Sequence, residues 1–318
     1  MPTPTPRVFT IPASAPFLPT LIKALIDGRL LPDFAPGPDP LALASATLYL
    51  PTRRAARLAR DVFLDVLKTD AAILPRIVAI GDVDEDEIAF SEAATETLAA
   101  ALDLPEALGG LERRLLLSRL VLKWAATISP TEKGHAPLVA NNPAAALALA
   151  DDLARLMDDM TTRGVPWDRL DDLALDHADE FRDYTLKFLK IAREAWPPIL
   201  AAGGKIEPAQ RRDLLIEAES KRLETAGGPV IAAGSTGSIP ATAKLLATIA
   251  RMPHGAVVLP GLDTDLDDES WEMIGGNATQ QLRPAAGHPQ FAMHGLLLRI
   301  GIKREAVTLL AAPAMHGR

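Results

Sequence analysis

Ala46-Thr47-Leu48-Tyr49-Leu50-Pro51-Thr52-Arg53-Arg54-Ala55-Ala56-Arg57-Leu58-Ala59-Arg60 reads as a buried strand that turns directly into a helix. The first five residues are almost wholly apolar and β-prone, the pattern of a strand covered on both faces. Pro51 ends it. Thr52 is suited to cap the following helix, because its side-chain oxygen can accept one of the amides that the first turn leaves unpaired. The helix is expected to run from Arg53 to Leu67.

Outward from this unit the same alternation repeats. Arg7-Val8-Phe9-Thr10-Ile11 reads as a strand, Pro12-Ala13-Ser14-Ala15-Pro16 as a loop and Phe17 to Ile26 as a helix. Further strands are expected at Arg76 to Ile80, Pro229 to Ala233 and Ala256 to Leu259, with a helix from Pro240 to about Met252. Strands alternating with helices at this spacing predict an α/β fold with a parallel sheet and flanking helices. Between residues 84 and 226 helical periodicity takes over. Leu117, Leu120, Val121 and Trp124 share one helical face; Leu149, Leu153, Leu156, Met157 and Met160 share a second; Phe181, Tyr184, Thr185, Phe188 and Ile191 share a third. Such stripes imply helices packed on one another. The expected organisation is a discontinuous α/β domain, residues 1–83 and 227–318, interrupted by an all-helical insertion over 84–226.

Composition narrows the chemistry. The 318 residues carry a net charge of -8 and contain no cysteine. Disulfides, thiolate metal sites, iron–sulfur clusters and thiol catalysis are therefore excluded within this sequence. No signal-peptide stretch and no apolar run of membrane-spanning length occurs, so a cytoplasmic protein with no membrane partner is expected. The acidic balance is unlike that of a free-standing DNA binder, whose affinity comes from counterions displaced by Lys and Arg. Any nucleic-acid role must rest on local clustering, and Arg53, Arg54, Arg57 and Arg60, with no acid among them, form the strongest basic cluster in the chain. One reading is a solvated helix face; the other is contact with phosphates through guanidinium forks and helix-terminal amides.

Other motifs are negative or structural. The loop from Pro12 to Pro16 has neither the glycines nor the lysine of a phosphate-cradling loop, and its prolines remove amide donors. Gly234-Ser235-Thr236-Gly237-Ser238 precedes a helix and is a candidate anion-binding loop, with an ordinary strand–helix turn as the alternative. The acidic runs Asp84-Glu85-Asp86-Glu87 and Asp263 to Asp268 read as solvated acid, and the second lacks the glycine and glutamate of a calcium loop. His135, His177, His254, His288, His294 and His316 show no ligand spacing. Gly203-Gly204-Lys205 reads as a turn before a helix, and the four tryptophans as core or interface. No metal or cofactor is expected.

The strand followed by Pro51-Thr52-Arg53-Arg54-Ala55-Ala56 resembles the second conserved motif of superfamily 1 DNA helicases. Leu74-Pro75-Arg76-Ile77 with Gly81-Asp82-Val83-Asp84-Glu85-Asp86, then Ala233-Gly234-Ser235-Thr236-Gly237-Ser238-Ile239-Pro240-Ala241-Thr242, and His288-Pro289-Gln290 together resemble AddB-type double-strand-break repair subunits of alphaproteobacterial kind. The resemblance implies a RecA-like sheet with a helical 1B-like insertion, and contact of Thr52, Arg53, Arg54 and Arg57 with single-stranded or end DNA. It also implies that the strand at Val230 occupies the place where an Asp-Glu pair would hold magnesium, whereas here Ala232-Ala233-Gly234 stands there. A noncatalytic module is then expected, acting in DNA repair and recombination beside an AddA-type helicase-nuclease subunit. The family's own nuclease would lie carboxyl-terminal to these residues, so the chain is expected to be a fragment of a longer protein. Two alternatives from other classes are an α/β small-molecule enzyme holding a phosphate on the Gly234–Ser238 loop, and a pure protein-interaction scaffold.

Overall fold

A computed structural model describes residues 5–36, 39–80, 104–127, 142–170, 179–276 and 283–311. The acidic run at Asp84, the Gly81–Asp86 segment, the start expected for the insertion, and His135, His177 and His316 lie outside the described residues, as does the side chain of Phe181. The chain divides into two compact units, Met1–Ala99 with Leu215–Arg318, and Ala100–Leu214.

The first unit is an α/β layer structure. Its strands are β1 (Val8–Ile11), β2 (Thr47–Leu50), β3 (Arg76–Ala79), β6 (Val230–Ala233), β7 (Gly255–Pro260) and β8 (Thr308–Leu309). They form one six-stranded sheet in the order β3-β2-β6-β7-β1-β8. Every ladder in it is parallel. Because side chains alternate along a strand, each strand feeds two cores. Leu48, Leu50, Ile231 and Val258 point to one face, where they meet Leu21, Ile22 and Leu25 of α1 (Phe17–Ile26) and Ala56 and Phe63 of α3 (Arg53–Leu67); a short helix α2 (Pro40–Ala44) precedes β2. Tyr49, Val230, Ala232 and Val257 point to the other face, against Leu245, Leu246 and Ile249 of α9 (Pro240–Arg251) and Leu296 and Leu297 of α11 (Phe291–Ile300). Helix α10 (Asp268–Gly275) adds Trp271 and Ile274 to that second core. Each leucine or isoleucine fully removed from water contributes about 1.5–3 kcal/mol, so both layers are strongly held.

The second core contains one polar knot. Tyr49, 2% exposed, donates its hydroxyl to Glu219 on α8 (Pro208–Leu223). Arg222, one turn on, donates to both carboxylate oxygens of Glu219 at 2.8 Å each. Burial, followed by the Glu219 carboxylate, drives the Tyr49 hydroxyl well above the ordinary tyrosine range. This knot joins the strand that leads into α3 to the helix that returns to the sheet.

The second unit is mainly helical. α4 (Gly110–Ala125) packs on α5 (Pro143–Arg163), and α6 (Asp179–Lys190) runs through a π-helical turn, Ile191–Ala195, into α7 (Trp196–Gly203). Leu117, Val121, Leu153, Met157 and Ile191, from all three expected stripes, meet in one core around the fully buried Trp196. One expectation needs correction: the unit is not all-helical. β4 (Glu106–Ala107) pairs in parallel with β5 (Lys205–Ile206), and Gly203-Gly204-Lys205 leads into that strand before the helix. Two residues per strand leave no alternation to read.

Arg113, 8% exposed, anchors this unit. It grips Asp158 with two hydrogen bonds, of 3.0 and 2.9 Å, and lies 2.6 Å from Glu207 in an ion pair not aligned for a hydrogen bond. Glu207 accepts from the Trp196 indole; burial raises its carboxyl above the usual range, while Arg113 pulls the other way.

Two outcomes follow from these buried groups. Tyr49→Phe should cost about 1–3 kcal/mol at neutral pH, since Glu219 loses a donor that water cannot replace. The folded protein holds the Tyr49 proton more tightly than the unfolded chain does. Stability from this group is therefore complete below about pH 10, the ordinary tyrosine value, and falls above it by about 1.4 kcal/mol per pH unit. Chemical denaturation across alkaline pH should show that slope in the parent and its loss in Tyr49→Phe. Arg113→Met should cost about 3–5 kcal/mol, because it strands a buried Glu207 without its cation; an unchanged denaturation midpoint would contradict this.

Candidate functional site

Parallel pairing sends every strand of the sheet out at one edge, and the two segments singled out in the sequence emerge there side by side, from the adjacent strands β2 and β6. Thr52 has extended backbone, φ -142° and ψ 156°, and its side-chain oxygen accepts from the Ala55 amide at 3.1 Å. It caps α3 as expected. Arg53, Arg54, Arg57 and Arg60 are all exposed, while Ala56, Ala59 and Phe63 turn inward. Among the described residues Arg54, Arg57 and Arg60 have no ion-pair partner. The first turn of α3 has no acid and the last turn no base.

The Gly234–Ser238 loop is shaped by its glycines. Gly234 has φ +80° and Gly237 φ +68°, a region that a side chain strains. A Cβ on Gly234 would lie 3.3 Å from Phe17 and 3.4 Å from Pro51, and one on Gly237 would lie 3.2 Å from Leu296. The Gly237 amide donates to the Ser235 hydroxyl at 3.3 Å, and the Gly234 amide to the Val258 carbonyl at 3.0 Å. The turn is thus packed from both sides, and two of its amides are already used within the protein. An anion can be met only by the amides that remain, in the loop or at the start of α9.

The two segments border one cavity of about 240 Å³, lined by Pro51, Ile80, Gly234, Ser235, Thr236, Ser238, Ile239 and Thr242. Among the described residues that line it there is no carboxylate, histidine, lysine or arginine. General acid–base or nucleophilic catalysis by a titratable group therefore has no candidate in that lining. Pro51, Ile80, Ile239 and Thr242 were not expected as site residues. Pro51 and Ile80 carry no chemical signature, whereas Thr242, two residues after Pro240 in the first turn of α9, could have been found from its place at a helix start behind a glycine-rich turn.

The loop between β1 and α1 holds no phosphate cradle. Pro12 accepts from the Ala15 amide at 3.0 Å in a tight turn, and Pro16 begins the helix with no side-chain cap. Around Asp263 the acidic side chains serve the backbone: Asp263 accepts from the amides of Asp265 and Leu266 at 3.0 Å each, and Asp267 caps α10. Gln290 donates to the Gly261 carbonyl and accepts from the Asp263 amide, at 3.0 and 3.1 Å, fastening that loop. Among the described residues no group of three or more His, Asp or Glu side chains could hold a metal ion, and no helix is long and apolar enough to cross a membrane.

No protein-family model matches the chain, and no curated protein matches it.

Thr52 gives a direct check on the β2–α3 turn. Thr52→Ala should cost about 1 kcal/mol through loss of the cap, and Thr52→Ser should restore most of it. Equal thermal midpoints for the parent and Thr52→Ala would show that the cap contributes nothing.

Proposed function

We propose that this chain is a noncatalytic nucleic-acid-binding module that holds single-stranded or end DNA on the arginine face of α3, within an AddAB-type repair and recombination complex. The observation that carries the reading is the placement of Arg53, Arg54, Arg57 and Arg60, exposed on the first two turns of a helix that starts at the carboxyl edge of a parallel sheet. Ligands of open α/β sheets collect at that edge, and arginine forks suit phosphate oxygens.

The sheet supports the helicase-like part of the reading. The resemblance assigns the triphosphate loop to the end of β1 and the magnesium carboxylates to the end of β6; in the strand order these two are separated by β7 alone and open on the same edge. A motor scaffold requires both loops to reach one nucleotide. Here the first is Pro12-Ala13-Ser14-Ala15-Pro16 and the second Ala233-Gly234, so the scaffold lacks the groups that would grip ATP and its metal. Hydrolysis would then come from an AddA-type partner, in the cytoplasm.

The test is equilibrium binding of a fluorescent oligothymidylate at several salt concentrations. The parent should bind weakly, at about 10⁻⁴ to 10⁻⁶ M. Arg53→Ala/Arg54→Ala should bind about tenfold more weakly and reduce the log–log salt slope by about 1.4, at about 0.7 for each phosphate no longer neutralised. Undiminished binding with an unchanged slope would reject DNA contact by these arginines and favour an acidic protein partner. Robust ATP hydrolysis by the purified chain would reject the noncatalytic reading.

A further inference from the structure

The cavity beside α3 holds a donor set that the protein leaves unused. Thr242 lines it and is 6% exposed, and among the described residues its hydroxyl has no hydrogen-bond partner. Its oxygen is not among the buried polar atoms that are cut off without a partner, so the hydroxyl is reached from outside the core and can bond a group that enters there. It stands in the first turn of α9, whose opening is bare: the N-cap position is Ile239, with no side-chain cap, and Pro240 contributes no amide. The first helical closure is Ala243 to the Ile239 carbonyl, at 2.8 Å. The amides of Ala241 and Thr242 precede that closure and belong to the set a helix start leaves open. The Thr242 hydroxyl and amide, at the positive end of a helix and with no carboxylate among the described lining residues, suit an anionic acceptor.

Size and polarity choose among anions. At about 240 Å³ the cavity is smaller than the roughly 300–1,000 Å³ of small-molecule pockets, so it encloses one group and leaves the rest of a larger ligand outside. Pro51, Ile80 and Ile239 make much of the wall apolar, and no cation is among its described lining residues. Desolvating a phosphate dianion there is costly. A phosphodiester carries a single charge, and its sugar carbons suit the apolar wall. Arg53 and Arg54 follow the lining residue Pro51 by two and three positions, which keeps their Cα atoms within about 7 and 11 Å of it.

We propose that this cavity binds one phosphodiester phosphate of a single-stranded polynucleotide, with the Thr242 hydroxyl and amide as donors, while Arg53 and Arg54 hold neighbouring phosphates. The inference rests on the nucleic-acid reading above and adds an interaction that the arginine variants do not probe.

The test compares Thr242→Val and Thr242→Ser with the parent 318-residue chain, by thermal melting and by oligothymidylate binding against salt. Thr242→Val should melt no lower than the parent, because the hydroxyl has no internal partner to lose. It should bind about tenfold more weakly, the worth of one hydrogen bond to a charged group, with an unchanged salt slope; Thr242→Ser should keep parental affinity. Equal binding by Thr242→Val and the parent overturns the inference and leaves the arginine reading standing. Loss of binding in Thr242→Val with none in Arg53→Ala/Arg54→Ala supports the cavity and removes the arginines. A marked drop in melting temperature for Thr242→Val means that the hydroxyl is structural, and overturns the inference. Inorganic phosphate, titrated while the Thr242 and Gly237 amide resonances are followed, separates the sources. Shifts there in a chain that binds no oligonucleotide would assign the site to a free anion and overturn the polynucleotide proposal.

Discussion

The layout of the α/β unit follows from the parallel pairing of its strands. In such a sheet no strand can return by a hairpin, so each must be followed by a crossover, and every carboxyl end opens on the same edge. That is why Pro51, Ile80 and Gly234, remote from one another along the chain, border one cavity. The same arrangement buries both faces of the central strands, which explains why Thr47-Leu48-Tyr49-Leu50 and Val230-Ile231-Ala232-Ala233 are apolar runs without polar alternation.

Tyr49 is the exception that such a strand can carry only with full compensation. Its hydroxyl sits in the core facing α8, and the Glu219–Arg222 pair there meets it. Buried ion pairs contribute little net stability but penalise arrangements that separate them. The knot therefore fixes where α8 lies on β2 more than how strongly it is held. Arg113, Asp158, Glu207 and Trp196 form a comparable cluster inside the helical unit. Each unit thus contains its own polar registration within an apolar core.

The elements that the sequence disclosed are those with enough length to show a period: β1, β2, β3, β6, β7, the helices α1, α3 and α9, and the three stripes that meet around Trp196. The Thr52 cap was legible because capping is local chemistry. The limits of the insertion were not. The expected limit at residue 226 lies beyond the end of α8, whereas the division between compact units falls at Leu214, inside that helix. Arg211 belongs to one unit and Ile216, Glu219 and Leu223 to the other, yet the helical period runs through them unbroken. A change of partner along one continuous helix leaves no mark on its periodicity. β8, β4 and β5 escaped because two residues define no pattern. The cavity escaped because its walls are mostly small or apolar, and the open state of the Thr242 hydroxyl exists only once the fold has enclosed it.

The charge pattern of α3 bears directly on what its arginines are for. A helix presents positive potential at its start and negative potential at its end, so acids are favoured in the first turn and bases in the last, by about 0.3–1 kcal/mol each at exposed positions. α3 is built the other way: Arg53 and Arg54 open it, and Asp61 and Asp65 follow Arg57 and Arg60 toward its end. A helix face selected only for solvation would have no reason to bear that cost. An anion at the start of α3 reverses the sign of the effect, since the helix dipole and the guanidinium groups then act on the same charge. The net charge of -8 does not oppose this, because screening confines exposed charges to about 8–10 Å under physiological salt. A phosphate at the sheet edge would respond chiefly to the arginines beside it, because the acidic remainder of the surface is screened at longer range.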